Sequence, residues 1–137
     1  MASQPGSPAG EHLVGGQLSA AICNALVHIQ REYLGRGPTR ARASFRGDTI
    51  LVLMQDTLTK AERSLVADGR QEEVIRIRRS FQRTMRSAIV AAVEELTGRR
   101  VLAFMSDTHI DPDLGCEIIV LEPDAESDDR TAQVEDA

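Results

Sequence analysis

The stretch RARASFRGDTILVLMQ, residues 40–55, decides the fold because it contains two strands and the turn that joins them. Residues 40–45 alternate strictly between polar and apolar side chains, and residues 49–55 form an apolar run with several β-branched residues. Both patterns are typical of strands. Gly47 and Asp48 form a two-residue turn between them, which we interpret as type II′. The stretch therefore predicts a β-hairpin.

The turn fixes the register of this hairpin and thereby the two faces of its strands. Arg46 lies opposite Thr49, so Phe45 pairs with Ile50 on the face toward the core. The pairs Ala43–Val52 and Ala41–Met54 follow on the same face. The other face carries Arg40, Arg42, Ser44 and Arg46 opposite Thr49, Leu51, Leu53 and Gln55. Alternation therefore explains three of the four arginines in residues 34–48, and Arg36 lies in the preceding loop.

The rest of the chain supplies three helices and two further strands. We predict helices over residues 12–34, about 59–67 and 70–97, and strands over Val101–Ser106 and Cys116–Leu121. The first helix ends at Gly35. Thr57 or Thr59 can cap the second helix, and Glu62 would complete a capping box from Thr59. The order α-β-β-α-α-β-β predicts an α+β fold, in which a four-stranded, mostly antiparallel sheet packs its helices on one face.

Length and charge indicate one folded domain between two disordered ends. The chain has 137 residues, of which we assign residues 11–121 to the domain. Residues 1–10 are small and polar, and residues 122–137 contain seven acidic residues against one arginine, so we expect both segments to be disordered. The remainder has 15 basic and 14 acidic residues. Such a balance gives no bulk electrostatic reason to expect DNA binding.

Hydropathy and cysteine usage indicate a cytoplasmic protein. The longest apolar runs, ILVLM and IIVL, are far shorter than the ~20 residues of a membrane span. The N-terminus lacks the basic start and the apolar run of a signal peptide. Cys23 and Cys116 show no repeating pattern and are interpreted as reduced, packed thiols. We expect any attachment to a membrane to be peripheral and to depend on a partner.

The long helix has one apolar side and one basic side. The apolar side carries Val74, Ile77, Phe81, Met85, Ala88, Ala92 and Leu96. The basic side carries Arg76, Arg79, Arg83 and Arg86. This stripe fits either an ordinary solvated face or a docking site for a phosphate, an acidic partner or the acidic tail of the chain.

Arg78 departs from this pattern, since its helical position lies between Met85 and Ile89 inside the apolar sector. A guanidinium there needs a carboxylate or carbonyl partner, because an unpaired buried charge is very costly. It therefore forms either a structural ion pair or an anion-binding site. The second alternative makes Arg78 the first candidate for a site residue.

Five segments carry a family resemblance: YLGRGP, GDTILVLMQDTLTKAE, IR, EELTGRRV and SD, in that order. Over residues 14–121 the chain thereby resembles the MpsC-like family, a bacterial domain of unknown function named after a Na+-translocating, membrane-potential-generating system. The matched positions are Gly35, Gly37, Pro38, Leu58, Thr59, Glu62, Arg78, Arg86, Ser106 and Asp107.

The resemblance implies a soluble, non-enzymatic accessory or regulatory subunit that acts by binding a protein or an anion. Its partners would be membrane transporter subunits of a system tied to membrane potential and bicarbonate uptake. The resemblance assigns no catalytic role to any matched position. The chain has HIDPDLG where relatives often have a threonine-glycine turn, so a site built from His109 or Asp111 would be peculiar to it.

The remaining motifs do not favour catalysis or a cofactor. Asp107, His109, Asp111 and Asp113 alternate and could gather metal ligands on one face, yet Asp-Pro-Asp is ordinary turn chemistry. The GRGP segment follows a helix, whereas a phosphate-binding loop follows a strand and precedes a helix. No Ser/His/Asp or Cys/His grouping is evident. We expect no enzymatic activity, no structural metal and no cofactor.

Binding is the remaining role, and the candidate residues are Arg36, Arg40, Arg42, Arg78, Arg86 and Asp107. A second apolar face on the sheet is covered either by helices that wrap both sides or by a second copy, and we predict the simpler arrangement, a homodimer. One alternative is an anionic small molecule bound at Arg36, Arg78 and Arg86. Another is nucleic acid bound by the hairpin arginines, which the scarcity of aromatic side chains and the acidic tail disfavour.

Overall fold

The computed structural model describes residues 13–124, which form seven elements in the predicted order. The helices are α1 (Gly15–Leu34), α2 (Lys60–Ala67) and α3 (Gln71–Thr97). The strands are β1 (Arg40–Arg46), β2 (Thr49–Gln55), β3 (Val101–His109) and β4 (Leu114–Leu121). The predicted α+β class is confirmed. The predicted disordered segments, residues 1–10 and nearly all of 122–137, lie outside the described residues.

The first hairpin has the predicted register. Arg46 lies opposite Thr49 and Phe45 opposite Ile50 in the antiparallel pair β1–β2. Gly47 has a φ of 58° while Asp48 has a negative φ, as a type II′ turn requires. The side chains of β1 alternate between exposed and half-buried, so its arginines point away from the core.

The sheet has the order β1-β2-β4-β3, and each neighbouring pair is antiparallel. The last two strands are longer than predicted, because Asp107–His109 continue the ladder opposite Leu114–Cys116. A bulge between Val101 and Ala103 leaves Leu102 59% exposed and turns Val101 toward the core.

Helices α1 and α3 pack on one face of the sheet, where the core lies, and α2 contacts α3. Its buried members are Ile22, Leu26, Ile50, Val52, Met54, Met85, Ile89, Val93, Ile119 and Leu121. The opposite face of the sheet is not covered by any described element. We call it the outer sheet face.

The buried side of α3 is rotated from the predicted one. Ile77, expected in the core, is 37% exposed, whereas Arg78 is 3% exposed. Successive residues of a helix are ~100° apart, so turning residue 78 inward moves residue 77 toward the rim. The prediction that Arg78 lies inside the apolar sector is therefore confirmed, whereas the assignment of Ile77 to the core, which rested on its apolar side chain, is wrong.

Candidate functional site

A buried ion pair joins α2 and α3 through Glu62 and Arg78, two of the motif positions. Nε of Arg78 donates to Oε2 of Glu62 at 2.8 Å, and Nη2 donates to Oε1 at 2.7 Å. Nη2 also donates to the carbonyl of Thr57. Arg78 is 3% exposed and Glu62 4%. This bidentate geometry is the strong form of an arginine–carboxylate pair. It supports the interpretation of Arg78 as a member of a structural ion pair.

Glu62 has a second task at the start of α2. Its Oε1 accepts the backbone N–H of Thr59 at 2.8 Å, and the Thr59 hydroxyl accepts the backbone N–H of Glu62 at 3.1 Å. The predicted capping box is therefore confirmed. One carboxylate thus connects the first turn of α2 to the N-terminal third of α3.

Charged side chains also clamp the segment between β2 and α2. The Asp113 carboxylate accepts three hydrogen bonds of 3.0–3.1 Å from Thr57 and Leu58. Arg36 donates to the carbonyl of Leu58 at 2.6 Å and to Asp56 at 3.3 Å. Arg36 and Arg78 therefore bind neighbouring carbonyls of one segment, and both have carboxylate partners in the chain.

Glu117 is a third ionisable residue in this region, and the sequence interpretation missed it. It lies on the core face of β4 opposite Ser106 and is 2% exposed. Burial raises its pKa from 4.5 to about 7, while the Ser106 hydroxyl and the Arg78 charge act in the opposite direction. The alternation of the strand could have revealed it, since residue 117 lies on the same face as Ile119 and Leu121.

Arg86 lies apart from Arg36 and Arg78. It is exposed on α3, donates to the carbonyl of Phe104 at 3.2 Å, and its guanidinium carbon lies 5.5 Å from the centre of the Phe104 ring. The structure therefore does not bring the three arginines of the anion-binding alternative together. The structure also separates the alternating residues that could have gathered metal ligands. Asp113 faces Thr57, whereas Asp107 and His109 lie on the outer sheet face.

Arg76, Arg79, Arg83 and Arg86 form a continuous exposed surface, which we call the α3 basic face. Among residues 13–124, the arginines that pair with carboxylates are Arg36, Arg63, Arg70, Arg78 and Arg99. The four arginines of the α3 basic face are not among them. A groove of about 420 Å³ with Ile75 in its lining runs beside Arg76, Arg79 and Arg83.

The outer sheet face carries three candidate residues, Arg40, Arg42 and Asp107, on its two opposite edges. Its central strands present Leu51, Leu53, Cys116, Ile118 and Val120, and Leu51 is 43% exposed. Arg40 and Arg42 lie along the β1 edge, whereas Asp107 lies on β3 at the other edge. Following the register across the sheet, Arg42, Leu53, Cys116 and Asp107 occupy one row. The face is thus apolar in the middle, with opposite charges on its two edges.

Comparison with known proteins agrees with this arrangement of motifs. The family described as "Na+-translocating membrane potential-generating system (MpsC)" matches residues 15–123. The chain belongs to the MpsC family. It is also similar to the uncharacterized protein YbcI of Bacillus subtilis, with 26% identity over 95 residues, 67% of this chain and 75% of YbcI. No solved structure matches the chain.

The MpsC match covers every described element. Of the motif positions, Glu62 and Arg78 form the buried pair, while Arg86 and Asp107 lie on exposed surfaces. Within residues 13–124, no helix combines the length and the apolar composition needed to cross a membrane. The motif positions of this MpsC domain therefore divide between a structural cluster and two surfaces.

Proposed function

We propose that this MpsC family member is a non-enzymatic binding subunit of a membrane-potential-generating system. In this proposal it docks through the α3 basic face onto an acidic surface of a membrane subunit. The observation that carries the proposal is that the four arginines of this face have no carboxylate partner among residues 13–124.

The contrast with the buried arginines supports a docking role for α3. Arg78 and Arg36 have their hydrogen-bonding capacity directed at Glu62, Asp56 and nearby carbonyls, so they offer little to an external anion. The α3 basic face extends over eleven residues, 76–86, or ~15 Å of helix from end to end. Clustered exposed charge of one sign steers association with a surface of the opposite sign.

Charge reversal on α3 tests the proposal. The Arg79→Glu/Arg83→Glu variant and the wild-type protein would each be co-expressed with the membrane subunits of the system and purified through a tag on the soluble chain. We expect the variant to retain about tenfold less membrane subunit, and the wild-type complex to weaken as salt rises. Reversal of matching acidic residues on the membrane subunit should restore binding.

A matched control is Arg100→Glu, because Arg100 is exposed but lies outside the α3 basic face. This variant should retain the membrane subunits as well as the wild type does. Equal retention by the double variant would contradict the proposal. Recovery of RNA or DNA in place of membrane subunits would favour the nucleic-acid alternative.

A further inference from the structure

The outer sheet face is the second surface of this protein without a covering element. Its centre is formed by apolar residues of β2 and β4, where Leu51 is 43% exposed. Met105, in the same row on β3 beyond Ile118, is 51% exposed. A soluble domain rarely leaves such a contiguous apolar face in water. A face of this kind needs an occupant, and its charges indicate which one.

The edges of the outer sheet face carry complementary charges at matching positions. Arg42 on β1 and Asp107 on β3 are at opposite ends of the same row, with Leu53 and Cys116 between them. Among residues 13–124, Arg42 has no carboxylate partner, and the hydrogen bond made by the Asp107 side chain is to the N–H of its neighbour Thr108. Each edge therefore presents a charge that the domain itself leaves without a counter-charge.

We infer that a second copy of this chain covers the outer sheet face, related by a two-fold axis parallel to the strands. Rotation about that axis exchanges the two edges of the sheet while keeping each row in place. It sets Arg42 of one copy opposite Asp107 of the other, twice per dimer, and sets Leu53 opposite Cys116 near the axis. The interface is therefore self-complementary in both charge and hydrophobicity.

The competing two-fold arrangement is electrostatically unfavourable. An axis across the strands places β1 on β1, so that Arg40, Arg42 and Arg46 of both copies gather at one edge. It also brings the two Asp107 side chains to the other edge. Like charges facing each other oppose association, so the charge pattern selects the axis parallel to the strands.

The size of the face is sufficient for a specific dimer. Four strands ~4.8 Å apart, each with seven or more residues at ~3.3 Å, give a flat footprint of roughly 19 by 25 Å. Two such footprints total about 1,000 Å² before side-chain relief is counted, which is where specific interfaces begin. Two sheets packed face to face with nearly aligned strands form the ordinary β-sandwich arrangement.

A charge-swap experiment tests both the dimer and its axis. Arg42→Glu and Asp107→Arg would be made singly and together, and the dissociation constant measured by sedimentation equilibrium with light scattering. Each single variant should dimerise at least about tenfold more weakly, because like charges then face each other. The double variant should return to the wild-type constant, because the swapped pair forms again with reversed sign.

Arg46→Glu is the matched control, since Arg46 lies on the same face and strand but in the row of Ala103. Combining Arg46→Glu with Asp107→Arg should leave the dimer as weak as Asp107→Arg alone makes it. A wild-type mass near the 15.0 kDa of the monomer at micromolar concentration would overturn the inference. A double variant that dimerises as weakly as the single variants would overturn the proposed direction of the two-fold axis. Neither result bears on the α3 basic face, which lies on the helix side of the sheet.

Discussion

Replacement of Arg78 by leucine is the most direct test of the buried ion pair. The change leaves the Glu62 carboxylate, 4% exposed, without its guanidinium, and it removes the donor to the Thr57 carbonyl. Breaking a buried pair by removing one partner costs about 3–5 kcal/mol. Glu62 keeps the Thr59 N–H, which offsets part of the loss. We expect the free energy of unfolding to fall by about 4 kcal/mol.

Urea unfolding measures this loss. With an m-value of about 1.5 kcal/mol per molar, the midpoint should fall by roughly 2–3 M. The control is Arg63→Leu, since Arg63 pairs at 3.2 Å with Asp56 and the two side chains are 53% and 38% exposed. An exposed pair of that kind contributes at most about 1 kcal/mol. The two variants therefore separate the effect of burial from the effect of losing an arginine.

A double-mutant cycle sharpens the test. Glu62→Gln retains an oxygen for the Thr59 N–H but removes the charge, so Arg78→Met combined with Glu62→Gln should be less destabilised than the sum of the single changes. A coupling of about 1–3 kcal/mol is expected. An Arg78→Leu variant as stable as the wild type, but with anion or partner binding lost, would refute the structural assignment and favour a binding role.

Two further predictions concern pH and the end of α1. Because burial raises the pKa of Glu117 from 4.5 to about 7, the folded state binds the proton more tightly, and stability should fall by about 3 kcal/mol as pH rises from 4.5 to above 7. Glu117→Gln should remove this slope in urea midpoints measured across that range, and an unchanged slope would contradict it. Gly35→Ala should lower the free energy of unfolding by about 1 kcal/mol. Gly35 has a φ of 80° and open space around it, so the added methyl group acts through backbone strain alone. Gly16→Ala, in the first turn of α1 with equally open space and no positive φ, should be stabilising, and equal effects of the two variants would contradict the reasoning.

The sequence was most informative where short-range geometry determines the structure. The hairpin register follows from a period of two and a two-residue turn, so Phe45 and Ile50 could be paired without knowing the rest of the fold. The capping box of Thr59 and Glu62 spans three residues and was equally visible. Arg78 could be recognised as an inward charge for the same reason, since helical spacing is local.

Long-range partners were not accessible in this way. Glu62 is 16 residues from Arg78, and several carboxylates could have served as its partner until the packing of α2 against α3 was known. Asp113 was interpreted as a turn residue, whereas its carboxylate reaches 56 residues back to Thr57. The sequence showed on which face of β4 Glu117 lies, but its proximity to Arg78 depends on which helix covers β4.

The two proposed surfaces follow from one property of arginine, which remains charged under all conditions in which the protein folds. Arg78 and Arg36 satisfy that charge inside the chain. The arginines of the α3 basic face and of β1 have no such partner among the described residues, and the two groups lie on different sides of the sheet. A dimer through the outer sheet face would therefore leave both α3 basic faces accessible, one on each copy. Such a dimer could engage two acidic sites at once and gain avidity without any new contact.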